Sequence, residues 1–231
     1  MSSFNDLSFH AFDPERDVAI RERKLPHWFQ PNTAVFITFR TLDSLPCEVV
    51  QRMTRELEEW LAERNLPIEL GGSSFKSKLP TYWKLLQALS PVEYREFHRL
   101  KERLIHRELD SCHGACLLRR PELSGIVANA IRYGDGERFD LDCFVIMPNH
   151  VHAIVQFRDG FDFTVVGQSW MRYSARLIHE AIKVKGSFWQ DEPFDHLVRS
   201  SEQFIYLRKY IADNPIKAKL RRGEYVLWTK P

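Results

Sequence analysis

Residues 144–157 read FVIMPNHVHAIVQF, and the reading of this stretch decides the fold. Two apolar runs, Phe144 to Met147 and Val151 to Val155, are separated by Pro148-Asn149, a pair that favours a turn, so a β-hairpin is expected. On an extended strand, residues two apart project from one face. His150 and His152 therefore aim two imidazoles at one point, as a metal site requires. Alone, the pair is a weak signal, because short motifs recur by chance and two solvated or hydrogen-bonded histidines would look the same.

Downstream, Val166, Trp170, Tyr173, Ile178 and Ile182 keep approximate helical spacing, predicting a helix from Thr164 towards Gly186 that covers the sheet. FWQDEPFDHLVR (188–199) reads as a loop and a short strand. Ser200 with Gln203 forms a capping box that starts a last helix through Tyr206, Tyr210 and Asn214, which Pro215 is expected to stop or kink. Steps of four residues advance about 40° on a helix, so these three side chains form one slowly turning stripe. If the stripe faces the histidines, a phenol, a carboxamide oxygen and two imidazoles share one pocket. The alternative makes Tyr206 and Tyr210 core aromatics and Asn214 a helix cap; a core position is the expectation for Tyr206.

Upstream, residues 1–33 are polar and end in LPHWFQPNT, whose prolines predict an extended segment; His27 and Trp28 there can pack on the domain, the commoner fate, or stack on a ligand. AVFITFR (34–40) sets Val35, Ile37 and Phe39 against Phe36, Thr38 and Arg40, the alternation of a central strand. Ser44-Leu45-Pro46 opens a helix with Val49, Val50, Met53, Leu57, Trp60 and Leu61 on one face. Gly71-Gly72-Ser73-Ser74 ends that unit, and Tyr82, Trp83 and Leu86 lead to Ser90-Pro91-Val92-Glu93, a capped start for a helix through Phe97, Leu100 and Leu104 towards Leu109. Residues 42–110 thus read as a helical insertion after the first strand. Cys112-His113-Gly114-Ala115-Cys116 lacks the spacing and the second cysteine pair of a zinc site. Pro121-Glu122 opens a helix with Leu123, Ile126, Val127, Ala130 and Ile131 inward, closed by Gly134. Strands, covering helices and a central antiparallel hairpin describe an α+β, ferredoxin-like sandwich, with residues 1–231 forming one domain around the insertion.

Composition agrees with a globular protein: 44% of 231 residues are apolar, with 16 Phe and 6 Trp. No apolar run approaches the roughly 20 residues of a membrane helix, and MSSFNDLSFHAFDPERD does not resemble a secretory signal, so a cytoplasmic protein without membrane contact is expected. Four irregularly spaced cysteines suggest reduced thiols. The net charge of +2 conceals an uneven distribution, since residues 164–231 hold 12 basic and 7 acidic side chains. That excess suits a phosphate-bearing partner or a solvated basic face equally well.

Three motifs in this order, MPNHVHAIV, FWQDEPFDHLVRS and YIADNPIKAKL, resemble the signature of the REP-associated tyrosine transposases, within the single-tyrosine HUH transposases. LPHWFQPNTAVFITFRTLDSLP and GACLLRRPELSGIV are similar to a longer subgroup that carries a helical insertion, so the likeness spans Leu25 to Leu220. It implies the HUH sandwich, and metal-dependent cutting and rejoining of single-stranded DNA bearing REP-like hairpins. It also implies a site in which His150, His152 and Asn214 hold Mg²⁺ or Mn²⁺ and Tyr210 is the nucleophile. Arg172, Arg176, His196, Arg199 and Lys217 are expected DNA contacts; Asp195 matches a motif without an assigned role. Met171 stands where a lysine is common, and RRGEYVLWTKP departs from the usual tail.

The residues make this chemistry reasonable. A phenol with a pKa of about 10 needs help to become a nucleophile at neutral pH. A metal would chiefly polarise the scissile phosphate, and imidazole ligands favour Mn²⁺ over Mg²⁺. Attack by Tyr210 would leave a 5′-phosphotyrosine and a free 3′-hydroxyl. Two other readings compete: a non-catalytic nucleic-acid-binding module on the same sandwich, and a metal-dependent phosphodiesterase that uses water and survives loss of Tyr210.

Overall fold

The structure is a computed structural model that describes residues 9–22, 26–66, 87–191 and 193–230. It divides into two compact units, Met1–Ser44 with Ala115–Pro231, and Leu45–Gly114.

The first unit is built on a five-stranded antiparallel sheet of β3 (Ala34–Arg40), β4 (Phe139–Ile146), β5 (His150–Phe157), β6 (Phe194–Leu197) and β7 (Val226–Thr229). In space the order is β6-β3-β5-β4-β7. The first four of these strands have the order of a split βαβ sandwich, and the fold is α+β. Alternation along β3 and β5 sorts the side chains into two cores. On one face Val35, Ile37, Phe39, Val151, Ala153 and Val155 lie under α3 (Pro121–Arg132) and α4 (Phe163–Ile182). On the other, Phe36, Val145, Met147 and Ile154 meet Phe204, Leu207 and Ile211 of α5 (Ser201–Lys217). The even-numbered face of β5 also carries His150 and His152, so the histidine pair lies beneath α5.

Caps fix where the helices begin. Pro121 occupies the first turn of α3, and the Asp162 carboxylate accepts the Val165 N–H at 3.0 Å to start α4. Ser200 Oγ accepts the Gln203 N–H at 3.2 Å to start α5, while the Gln203 amide oxygen takes the Arg199 N–H at 2.7 Å. Of the two outcomes expected of Pro215, a stop or a kink, the stop does not occur: the helix runs through Lys217 with Pro215 inside it. Proline removes one N–H, but Asn214 and Pro215 are buried, and the Ala218 N–H still reaches the Asn214 carbonyl at 3.1 Å. The N-terminal segment is extended, as expected, and its β1 (Ala19–Glu22) and β2 (Pro26–Phe29) form an antiparallel ladder of their own. Trp28 is exposed and does not pack into the core, while the side chain of His27 lies outside the described residues.

The second unit contains α1 (Cys47–Ala62) and α2 (Pro91–Asp110). Leu61, Leu89 and Phe97 form one apolar cluster, and Val49, Met53 and Leu104 another. Val50, expected on the inner face, is exposed. Ser90 and Glu93 form the reciprocal capping box that opens α2. Gly71 to Ser74, Tyr82, Trp83 and Leu86 lie outside the described residues. Among the described residues no cysteine forms a disulfide, and no helix is long and apolar enough to cross a membrane.

Candidate active site

Register brings the site together. β3 pairs with β5 so that Thr38 stands opposite His152 and Arg40 opposite His150. Both imidazoles are buried, with ring centres 4.8 Å apart. Thr38 Oγ1 lies 2.7 Å from His152 Nδ1, and Phe36 stacks on the same ring at 5.3 Å, so one hydroxyl and one aromatic face hold its orientation. His150 Nδ1 lies 2.8 Å from Asn149 Oδ1. A carbonyl oxygen can only accept, so Nδ1 carries the proton and Nε2 is the nitrogen with a lone pair.

Above this face, the Tyr210 hydroxyl is 3.4 Å from His152 Nε2, and the two rings meet edge to face at 5.3 Å. Lys217 Nζ lies 5.1 Å from the centre of the Tyr210 ring, placing a cation beside the phenol. Tyr206, one turn earlier, is 65% exposed and is not the core aromatic expected of it. Its side chain leaves the helix away from the narrow stripe of Phe204, Leu207 and Ile211 that packs on the sheet.

Asn214 lies one turn after Tyr210. Its side chain is fully buried, and among the described residues neither Oδ1 nor Nδ2 has a hydrogen-bond partner. A buried carboxamide without partners is costly and uncommon. A divalent cation would satisfy Oδ1, and two neutral imidazoles with one carboxamide oxygen suit Mn²⁺ or Mg²⁺. The second interactions of His150 and His152, with Asn149 and Thr38, are of the kind that orient metal-ligating histidines. These residues fit a metal.

His196, on β6, touches the site's border through ring contacts with Phe36 at 5.3 Å and Phe194 at 5.7 Å. Burial, reinforced by the positive charge of Arg199, lowers its pKa to about 4, so the ring is neutral at physiological pH. Arg199 is exposed at the start of α5, and Asp195 is half-buried on β6. Arg172 and Arg176 lie elsewhere: both are on the outer face of α4, where they bond Gln168 at 3.2 Å and Glu180 at 2.8 Å. That helix covers the opposite face of the sheet, so the structure does not bring these two arginines to the histidine pair. Sequence reasoning missed Thr38 and Asn149 as partners of the histidines. The signal for Thr38 was its place beside Phe36 and Arg40 on one strand face, which acquires meaning only with the β3–β5 register.

The model of the family described as "Transposase IS200 like" matches residues 123–214. Over that span, less than half of the chain, the sequence is similar to the IS200-like transposases. The span begins at Leu123 in α3 and ends at Asn214, so it contains His150, His152 and Tyr210 as well. The chain is similar to a solved structure described as "Structure of the REP associates tyrosine transposase bound to a REP hairpin", with 14% identity and a TM-score of 0.43, over 85% of this chain and 74% of that one. No curated protein matches.

Proposed function

We propose that this chain is a metal-dependent tyrosine transposase that cuts and rejoins single-stranded DNA at hairpin-bearing sites of the REP kind, through a covalent link to Tyr210. The observation that carries the reading is the 3.4 Å approach of the Tyr210 hydroxyl to His152 Nε2, beside a second histidine on the sheet face that packs against α5. A binding module has no need of this arrangement, and a phosphodiesterase that uses water has no need of the phenol.

His150, His152 and Asn214 would hold Mg²⁺ or Mn²⁺, which when bound polarises the scissile phosphate and neutralises charge developing on it. Tyr210 attacks phosphorus, forming an O–P bond to the 5′ side as the bond to the 3′ oxygen breaks. The phenol gives up a proton and the departing 3′ oxygen takes one, so the step is neutral in protons. Lys217, close to the phenol ring, favours the phenolate electrostatically. The ester is exchanged, not hydrolysed, and rejoining reverses the step without ATP.

A labelled single-stranded hairpin oligonucleotide incubated with protein and Mn²⁺, then run on a denaturing gel, tests this. The wild type is expected to retain label on the protein, and Tyr206→Phe likewise. Tyr210→Phe, His150→Ala and His152→Ala are expected to lose it, as is the wild type in chelator. Cleavage without adduct that persists in Tyr210→Phe would replace this reading with the hydrolytic one; DNA binding without cleavage would leave only the binding module.

A further inference from the structure

Along β4 the two faces exchange partway. Phe139 and Leu141 belong to the core beneath α3 and α4, yet Cys143 and Val145 belong to the core beneath α5. Residues two apart on a regular strand share a face, so the phase slips between 141 and 143. There the pairing with β5 shifts by a residue, leaving Asp142 as the extra one. A bulge of this kind re-aims a side chain. Here it buries a carboxylate: Asp142 is fully enclosed, its backbone carbonyl accepts the Lys230 N–H at 2.8 Å, and Oδ2 lies 3.0 Å from Nε of Arg208 on α5. The contact is a close ionic one, not an aligned hydrogen bond. Burial raises the Asp142 pKa, against the opposing charges of Arg208 and Lys230.

Such a pair is a poor device for stability, because desolvation offsets most of its attraction and apolar replacements commonly do as well. Its place on the helix suggests another use. Arg208 precedes Tyr210 by two residues, about 200° around the axis, so the two side chains leave α5 on opposite flanks. Between them a narrow apolar stripe, Phe204, Leu207 and Ile211, rests on the sheet. A narrow stripe resists sliding more than rolling. We propose that the Asp142–Arg208 pair fixes the roll of α5 and thereby sets the position of the Tyr210 hydroxyl over His152, a positioning role that rests on Tyr210 being the nucleophile.

The test uses the full chain as Asp142→Asn, Arg208→Gln, Arg208→Lys and the double variant Asp142→Asn/Arg208→Gln. Three quantities are measured: the rate of adduct formation with the hairpin oligonucleotide and Mn²⁺, affinity for that oligonucleotide, and hydrogen exchange of α5 peptides. Each neutral single variant is expected to form adduct about 100-fold more slowly, the effect of misplacing a reacting group by roughly 1 Å. Affinity stays unchanged, and exchange quickens in α5 but not in β5. Because the two act as one pair, the double variant is no slower than the worse single one. Arg208→Lys, which keeps the charge, recovers part of the rate and guards against misfolding of the neutral variants. Unchanged rate and exchange overturn the proposal, as do additive losses in the double variant or exchange that quickens equally throughout the sheet. Adduct formation by Tyr210→Phe in the same series would instead remove the nucleophile assignment, while the exchange data would still decide whether the pair holds the helix.

Discussion

His196 is enclosed by Phe36 and Phe194 and keeps its imidazole uncharged down to a pH of about 4. In the unfolded chain the same ring takes a proton near pH 6.5. Between those values the unfolded state binds more protons, so stability falls as pH drops from about 6.5 towards 4. Thermal melting of the wild type is therefore expected to weaken through that window, and His196→Gln, which cannot titrate, should weaken less. Parallel melting curves for the two proteins against pH would contradict the assignment. The shared face of His150 and His152 was legible in the sequence because two residues on a strand is a local spacing, whereas Tyr210 was singled out through the family resemblance and meets His152 across a separation of 58 residues. Thr38 was not, because its hydroxyl meets His152 across a separation of 114 residues that only strand register can define.

Helix α4 shows how close packing constrains a single position. Gly167 lies on its buried side, directly over the ring of Phe163 one turn earlier, and a Cβ at 167 would collide with that ring. Alanine normally favours a helix over glycine by about 1 kcal/mol. Overpacking of this kind costs about 1–3 kcal/mol, so Gly167→Ala is expected to destabilise the chain despite its better propensity. Denaturant titration gives the sign, and a stabilised variant would show that the Phe163 ring yields freely. Helices with strong caps, such as those opened by Ser90 and Ser200, were readable because the capping chemistry is written in four consecutive residues. The β1–β2 ladder and β7 were not, since four-residue strands carry too little alternation and acquire their structure from a partner. That Pro215 does not stop α5 has a related reason: its local preference is outweighed by burial of the turn that contains it.

Across the whole molecule, the expected DNA contacts separate by layer. Lys217 and Arg199 lie on or beside α5, on the face of the sheet that holds the histidines, whereas Arg172 and Arg176 lie on α4 over the opposite face. Removing one cation that neutralises a phosphate lowers the salt dependence of binding by about one unit on a logarithmic plot. Lys217→Gln is expected to lower both affinity for a single-stranded oligonucleotide and that slope. Arg176→Gln, already paired with Glu180, should leave both unaltered. Binding titrations at several salt concentrations separate the cases, and an equal effect of the two substitutions would mean that the strand touches both layers.

The short strand β7 also bears on whether the edge of β4 is open to another chain. It lies along β4 with Val226 opposite Ile146 and Trp228 opposite Phe144, and the two aromatic rings stack at 5.6 Å. Without those few residues β4 would become a bare outer strand, 8 residues long and largely apolar, with backbone donors and acceptors open to another chain. Truncation after Glu224 is expected to reveal itself first as self-association in light scattering, with helix content largely preserved. The last strand would then act as a chaperone in miniature, occupying a place that a second molecule could otherwise take.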